Sequence, residues 1–183
     1  MTQPTVIVLA SGRGERFIAS GGGTHKLQAL LGGRPVLERT LDAVRASGLP
    51  WHLEDRGHDG MGDSIAAGVA AARDAPGWLI LPGDLPLIQA QTLRAVAAAL
   101  ARTAVVVPSH GGVRGHPVGF GPECRDELLQ LRGPEGASGI VRARTALGQI
   151  VLLELGDAGI VADIDTTADL ARAEALLLAS RST

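Results

Sequence analysis

Aromatic side chains are scarce in this chain of 183 residues, which holds two Trp, two Phe and no Tyr. Proteins that grip single-stranded nucleic acid stack bases on aromatic platforms, and none can be assembled here. A formal net charge of −2 and a pI near 6.2 point the same way. A single cysteine, Cys124, excludes an intrachain disulfide and fits a reducing compartment. It sits in Pro122-Glu123-Cys124-Arg125-Asp126, a helix start with no base nearby in sequence, and reads as an ordinary helix or core cysteine rather than a nucleophile. No run approaches the ~20 apolar residues that span a bilayer. Met-Thr-Gln-Pro leads straight into an apolar strand, without the charged start and apolar core of a signal peptide. The expectation is a soluble, cytoplasmic protein with neither nucleic acid nor membrane as partner.

Familiar catalytic signatures are missing too. Gly21-Gly22-Gly23-Thr24-His25-Lys26-Leu27 has neither the spacing nor the hydroxyl of a Walker turn. The five histidines show no finger spacing with Cys124, which argues against structural zinc. No GxSxG elbow is present, so the main α/β hydrolase signature is absent.

What is present is an alternation of apolar runs with segments of helical period, the pattern of a mostly parallel sheet covered on both faces. At 183 residues the simplest reading is one α/β domain over residues 1–183. The candidate strands are Thr5–Ala10, Trp51–Glu54, Trp78–Leu81, Ala104–Pro108, Pro117–Phe120, Ile150–Leu155 and Ile160–Ile164. The candidate helices are Val36–Ala46, Ser64–Ala72, Ala90–Ala101, Glu123–Leu131, Gly136–Ala146 and Ala168–Ala179. Ile65, Val69 and Ala72 fall on one helical stripe, and Thr166 to Asp169 has the form of a capping box.

Ligands of open parallel sheets bind beyond the carboxyl ends of the strands, so the strand ends are the places to inspect. The first strand runs into Ser11-Gly12-Arg13-Gly14-Glu15-Arg16, a turn whose glycines permit close backbone approach and whose N–H groups suit an anion. From Ser11 to Arg39 five basic residues face two acidic ones, a local balance of +3 in a chain at −2. Gly12-x-Gly14 also begins a dinucleotide pattern, but Phe17 stands where a third glycine belongs. Leu81-Pro82-Gly83-Asp84-Leu85-Pro86 places Asp84 at a strand end, suited to Mg²⁺ on nucleotide phosphates. Met61-Gly62-Asp63-Ser64 opens a helix and suits a second anionic or carbonyl group, or merely caps that helix. Arg114-Gly115-His116 puts a guanidinium and an imidazole in one turn. Asp163 and Asp165 alternate at strand spacing, so one faces a site beside Asp84, and Asp165 is the preferred second ligand.

Taken in order, LASGRGERF…HK, KLQALLGGRPVLERTLDAV, GMGDSIAAGV, LPGDLPLI, GVRGHPVGF and DIDTTADL resemble the MobA-like nucleotidyltransferases over nearly the whole chain. The resemblance is nearest to the molybdenum cofactor cytidylyltransferase branch. It implies a Rossmann-like, three-layer αβα fold, Mg²⁺, and transfer of a nucleoside monophosphate from CTP to a molybdopterin-type acceptor, with a molybdoenzyme or its maturation chaperone as a further partner. By position, the backbone of Leu9, Ala10, Ser11, Gly12, Arg13 and Gly14, with Gly83, would contact the nucleotide. Arg16 and Lys26 would hold the triphosphate, and Asp84 with Asp165 the metal. Met61, Gly62, Asp63, Ser64, Arg114, Gly115 and His116 would line the acceptor side. The chain departs from the family pattern in three places. Only Ser47 to Asp59 stand where a fuller β-α-β segment is usual, Ile18–Thr24 lengthens the first loop, and Thr167 replaces the common proline of the closing motif. A guanylyltransferase, another small phosphorylated acceptor, a non-catalytic nucleotide-binding accessory protein and an NAD(P)-dependent oxidoreductase are the alternatives.

Overall fold

The structure, a computed structural model, describes residues 3–180. In chain order it has β1 (Thr5–Leu9), α1 (Glu15–Ala19), a 3₁₀ turn at Lys26–Gln28, β2 (Leu30–Leu31), β3 (Arg34–Pro35), α2 (Val36–Ser47), β4 (Trp51–Glu54) and α3 (Met61–Ala71). There follow β5 (Trp78–Pro82), α4 (Ala90–Ala99), β6 (Val105–His110), β7 (Val113–Arg114), β8 (Val118–Phe120), α5 (Arg125–Leu129), α6 (Ser138–Ala146), β9 (Ile150–Glu154) and α7 (Thr167–Ser180).

The main sheet is ordered β4-β1-β5-β8-β6, with β7 and β9 both pairing with β6. β1 lies parallel to both β4 and β5, β6 lies parallel to β9, and β8 is antiparallel to β5 and β6. Alternation along β1 explains the layers. Val6 and Val8 pack with Leu41 and Val44 of α2 and Leu93 and Val96 of α4. Ile7 packs on the opposite face with Ile65 and Val69 of α3, Leu128 of α5 and Ile140 of α6. Each fully buried aliphatic side chain of this kind contributes about 1.5–3 kcal/mol. The result is the expected αβα sandwich. Cys124 lies in the second of these clusters, its thiol pushed up by burial and its Sγ donating to the Ala104 carbonyl at 3.7 Å, as a core cysteine should.

A third cluster joins the two ends of the chain. Phe17, Leu27, Leu31 and Val36 pack with Ile164 and Ala173. The capping box at α7 is present, with the Thr166 N–H and hydroxyl donating to Asp169 Oδ2 at 2.7 Å each and the Asp169 N–H returning to Thr166 Oγ1 at 3.2 Å. Thr167 then donates its N–H to Ser20 Oγ at 3.0 Å and its hydroxyl to the Ser20 carbonyl at 3.0 Å. A proline at 167 has no N–H for the first of these bonds, so the two departures from the family pattern, in the first loop and in the closing motif, meet at one contact.

One expected strand is corrected. Ile160–Ile164 is not a strand; residues Ala158–Val161 form a 3₁₀ turn. Ile160 and Ile164 are both buried, but β9 already pairs with β6 along Val105–Ser109. Asp157 drives the turn instead. Its Oδ1 accepts the Gly159 N–H at 2.9 Å, while Oδ2 accepts the Gln89 N–H at 3.0 Å and the Thr92 hydroxyl at 2.6 Å. Short apolar runs do not distinguish strand from turn by periodicity alone. The short elements α1, β2, β3 and β7 were not anticipated, for the same reason of length.

Asp157 is only 4% exposed, so Asp157→Ala strands two buried N–H groups and a hydroxyl. The expected loss is about 2–4 kcal/mol of unfolding free energy, read as a lowered urea midpoint at unchanged m-value.

Candidate active site

Parallel pairing sets Leu9 opposite both Glu54 and Pro82, so the loops leaving β1, β4 and β5 open on one edge. The Gly83 N–H donates to the Leu9 carbonyl at 2.9 Å, and the Thr40 hydroxyl donates to the Gly83 carbonyl at 2.9 Å. A Cβ at 83 would lie 2.9 Å from Leu37 Cδ1 and 3.1 Å from the Leu9 oxygen, which is why this approach needs glycine. Between the loops lies a cleft of about 490 Å³, a size ordinary for small-molecule ligands.

The turn from Ser11 to Arg16 forms one wall. Gly14 adopts φ 66°, a left-handed geometry that favours glycine, and a Cβ there would press on the His25 ring at 3.2 Å. His25 in turn braces the loop. Its Nδ1 accepts the Leu27 N–H at 3.3 Å, so Nε2 carries the hydrogen and donates to the Gly12 carbonyl at 2.7 Å. The hydroxyls of Ser11 and Ser64 are 2.5 Å apart, joining this wall to the start of α3.

At the other end of the cleft the charges converge. The Ile164 N–H donates to the Asp84 carbonyl at 3.0 Å, which draws the closing loop onto the end of β5. Lys26 Nζ lies 2.5 Å from Asp84 Oδ2 and 2.9 Å from Asp165 Oδ1, and Arg16 Nη1 lies 2.9 Å from Asp165 Oδ2. Burial works against the Lys26 charge, but the two carboxylates outweigh it and hold its pKa above the usual 10.5. Asp84 Oδ1 is buried with no hydrogen-bond partner. A carboxylate oxygen so placed is costly without a cation or donor. Asp163 is at the surface, its carboxyl raised by partial desolvation and then by the charges of Asp84, Asp165 and Asp169. Hence Asp84 and Asp165, not Asp163, converge.

These oxygens fit a hard divalent cation that keeps several waters or phosphate oxygens. Among the described residues no cluster of three or more His, Cys, Asp or Glu forms a closed metal cage.

The remaining expected site residues divide. Leu9, Ser11, Gly12, Arg13, Gly83, Met61 and Ser64 line the same cleft, whereas Ala10 does not and gives its N–H to the Glu54 carbonyl at 2.9 Å. Gly62 donates its N–H to the Gly133 carbonyl at 2.8 Å, and Asp63 Oδ2 accepts the Gly133 N–H at 2.9 Å, so this pair fastens a neighbouring loop. Arg114, Gly115 and His116 lie outside the cleft lining. Arg114 is exposed on β7, and Gly115 and His116 bond through their N–H groups to the Pro108 and Ile160 carbonyls. The His116 imidazole is lowered by burial and opposed by the charges of Asp84 and Asp163, which places it near the acidic end.

Three contributors escaped the sequence reading: His25, Glu54 and His58. The Glu54 side chain is fully buried at the end of β4. Arg56 Nε donates to its Oε1 at 3.0 Å and Nη2 to its Oε2 at 2.9 Å, while His58 Nε2 lies 3.0 Å from Oε1 and His52 Nε2 3.3 Å from Oε2. The Arg56 hydrogen bonds, ahead of burial that opposes them and with help from both histidines, pull the Glu54 pKa from 4.5 down to about 2. The strand-end rule that singled out Asp84 applies equally to Glu54.

A Gly-rich turn, clustered cations and paired carboxylates meet on the carboxyl edge of a parallel sheet, an arrangement of an α/β protein suited to an anionic ligand. The model of the MobA-like NTP transferase domain matches residues 6–149, and the chain belongs to that family of nucleotidyltransferases. It is 30% identical over 187 residues to the bifunctional protein GlmU of Stenotrophomonas maltophilia strain K279a and 29% identical over 192 residues to that of Kineococcus radiotolerans. Each alignment covers 88% of this chain but only 38% and 37% of those relatives, so the chain spans well under half their length. Among solved structures, a nucleotidyl transferase from Methanothermobacter superposes with TM-score 0.82 at 20% identity, covering 97% of this chain and 99% of that one. Molybdopterin-guanine dinucleotide biosynthesis protein A from Archaeoglobus fulgidus superposes with TM-score 0.63 at 20% identity, covering 94% and 98%. Rv0371c of Mycobacterium tuberculosis, in a manganese complex, gives 0.72 at 24% identity over 94% and 98%.

Because the folded Glu54 pKa lies below 4.5, its contribution to stability is full above that value and lost as pH falls toward about 2. Glu54→Gln should flatten the fall of unfolding free energy across that window, measured by urea titrations at stepped pH.

Proposed function

We propose that this chain transfers a nucleoside monophosphate, CMP from CTP in the favoured reading, to a phosphorylated acceptor of molybdopterin type, with release of pyrophosphate. The observation that carries this reading is the meeting of Arg16, Lys26, Asp84 and Asp165 at one end of a cleft walled by the glycine turn. Family membership supports the reaction class. The likeness of order in GMGDSIAAGV and RGHPVGF supports the cytidylyl branch.

In the reaction an oxygen of the acceptor phosphate attacks the α-phosphorus in line. The bond from that phosphorus to the bridging oxygen breaks, and its electron pair leaves with pyrophosphate. No protein nucleophile is required, so catalysis rests on positioning and charge. The N–H groups from Ser11 to Gly14 orient the phosphates, and Lys26 and Arg16 neutralise charge that grows on the leaving group. Asp84 and Asp165 would hold Mg²⁺, which supplies Lewis-acid neutralisation of the phosphate oxygens. The orphaned Asp84 Oδ1 fits that task. A neighbouring fold in complex with manganese also supports a divalent ion.

Asp84→Ala should lower pyrophosphate release on the order of 10²–10³-fold or more while leaving the folded circular dichroism spectrum intact. Arg16→Ala, an exposed cation, should cost roughly tenfold. The decisive assay is a panel of CTP, GTP, ATP and UTP with Mg²⁺ and either molybdopterin or a sugar phosphate as acceptor. Binding of CTP with no pyrophosphate release from any pairing would replace this reading with that of a nucleotide-binding accessory protein.

A further inference from the structure

Glu54 is a full negative charge buried outside the phosphate end of the cleft, and nothing in nucleotidyl transfer accounts for it. Its two oxygens accept from Arg56, His52 and His58. An ionised carboxylate only accepts hydrogen bonds. The bond from His58 Nε2 to Glu54 Oε1, at 3.0 Å, therefore fixes the hydrogen of a neutral His58 on Nε2 and makes Nδ1 a bare acceptor. Among the described residues no hydrogen bond occupies that Nδ1, and His58 lines the cleft with Met61 and Ser64. The cations Arg16 and Lys26 gather with Asp84 and Asp165 on the β5 side of β1, whereas His58 follows β4 on its other side. For a nucleotide whose phosphates lie there, the β4 side of the cleft, lined by His58, is the wall across the glycine turn that is left for the base. Asp59, on the same wall, faces Arg13 at 3.9 Å.

We propose that His58 determines base specificity, its Nδ1 accepting a hydrogen bond from the exocyclic amine of the nucleobase, and that Glu54 is the positioning residue that fixes the ring and its tautomer. Cytosine presents an amine to such an acceptor. Uracil presents a carbonyl in the same place, which sets lone pair against lone pair. The cleft therefore selects amino-bearing bases over uracil. This inference rests on the proposed nucleotide site but not on the identity of the acceptor or on turnover.

The test is equilibrium binding of CTP and UTP to the whole chain with Mg²⁺ at pH ~8, above the ordinary titration range of histidine. The wild type should prefer CTP by roughly tenfold or more, the loss expected when one partly buried hydrogen bond becomes a repulsive pair. His58→Phe keeps a ring and removes the acceptor, and should bring the two nucleotides within about threefold while inorganic tripolyphosphate competes as before. Glu54→Gln should lower the preference through the tautomer, seen as a shift of the His58 ring proton from Nε2 toward Nδ1 in long-range ¹H–¹⁵N correlation spectra. Equal binding of CTP and UTP by the wild type, an undiminished CTP preference in folded His58→Phe, or a wild-type ring protonated at Nδ1 would each overturn the inference and leave nucleotidyl transfer standing. Failure to bind any nucleoside triphosphate would overturn both. The spectrum of the wild type alone decides the tautomer if a variant does not fold.

Discussion

Parallel registration of β1 between β4 and β5 is the constraint from which the rest follows. Because Leu9 stands level with Glu54 on one side and Pro82 on the other, three loops far apart in sequence leave the sheet at the same height. The glycine turn, the Glu54 cluster and Asp84 are then neighbours by construction. A slip of one residue in either pairing would turn the side chains of a strand to the opposite face, and the buried alternation of Val6, Ile7 and Val8 makes that slip costly. The core thus sets the geometry of the cleft through ordinary packing, with the Gly83 to Leu9 hydrogen bond as the point where packing becomes chemistry.

Much of this was legible because the decisive elements are long or strongly marked. The helices with a clear apolar stripe and the strands that carry β-branched runs fell close to their expected bounds, and Asp84 was legible as a carboxylate held in a Pro-Gly-Asp-x-Pro turn. Strand alternation implies that only one of Asp163 and Asp165 faces the site, and the place of Asp165 next to the helix cap favours it; that strand does not form, and the two carboxylates separate for a different reason. The Ile164 N–H reaches the Asp84 carbonyl and turns the next residue into the cleft, a tertiary bond that no local pattern encodes. Glu54 and His25 were hidden for a related reason. Glu54 stands at a strand end as Asp84 does, but its burial and its bonds to Arg56 and His58 depend on how the loop after β4 folds back, and the His25 bond to the Gly12 carbonyl spans 13 residues.

Electrostatics follows the same division of labour along the edge of the sheet. At one end, Lys26 is a shared counter-ion for two carboxylates supplied by distant segments. At the other, Arg56 and two histidines surround one carboxylate supplied by a strand. Both arrangements keep charge buried only where several donors answer it, as low-dielectric surroundings demand. They differ in what is left over: an acceptor oxygen on Asp84 in the first, and a ring nitrogen of His58 in the second.

The contact of Thr167 with Ser20 ties the longest sequence separation among the hydrogen bonds of the site region, 147 residues. It makes the extended first loop and the terminal helix a single mechanical unit. Both bonds are exposed, so water can answer the freed groups, and what a change in either segment alone would loosen is the tether between the first loop and the terminal helix.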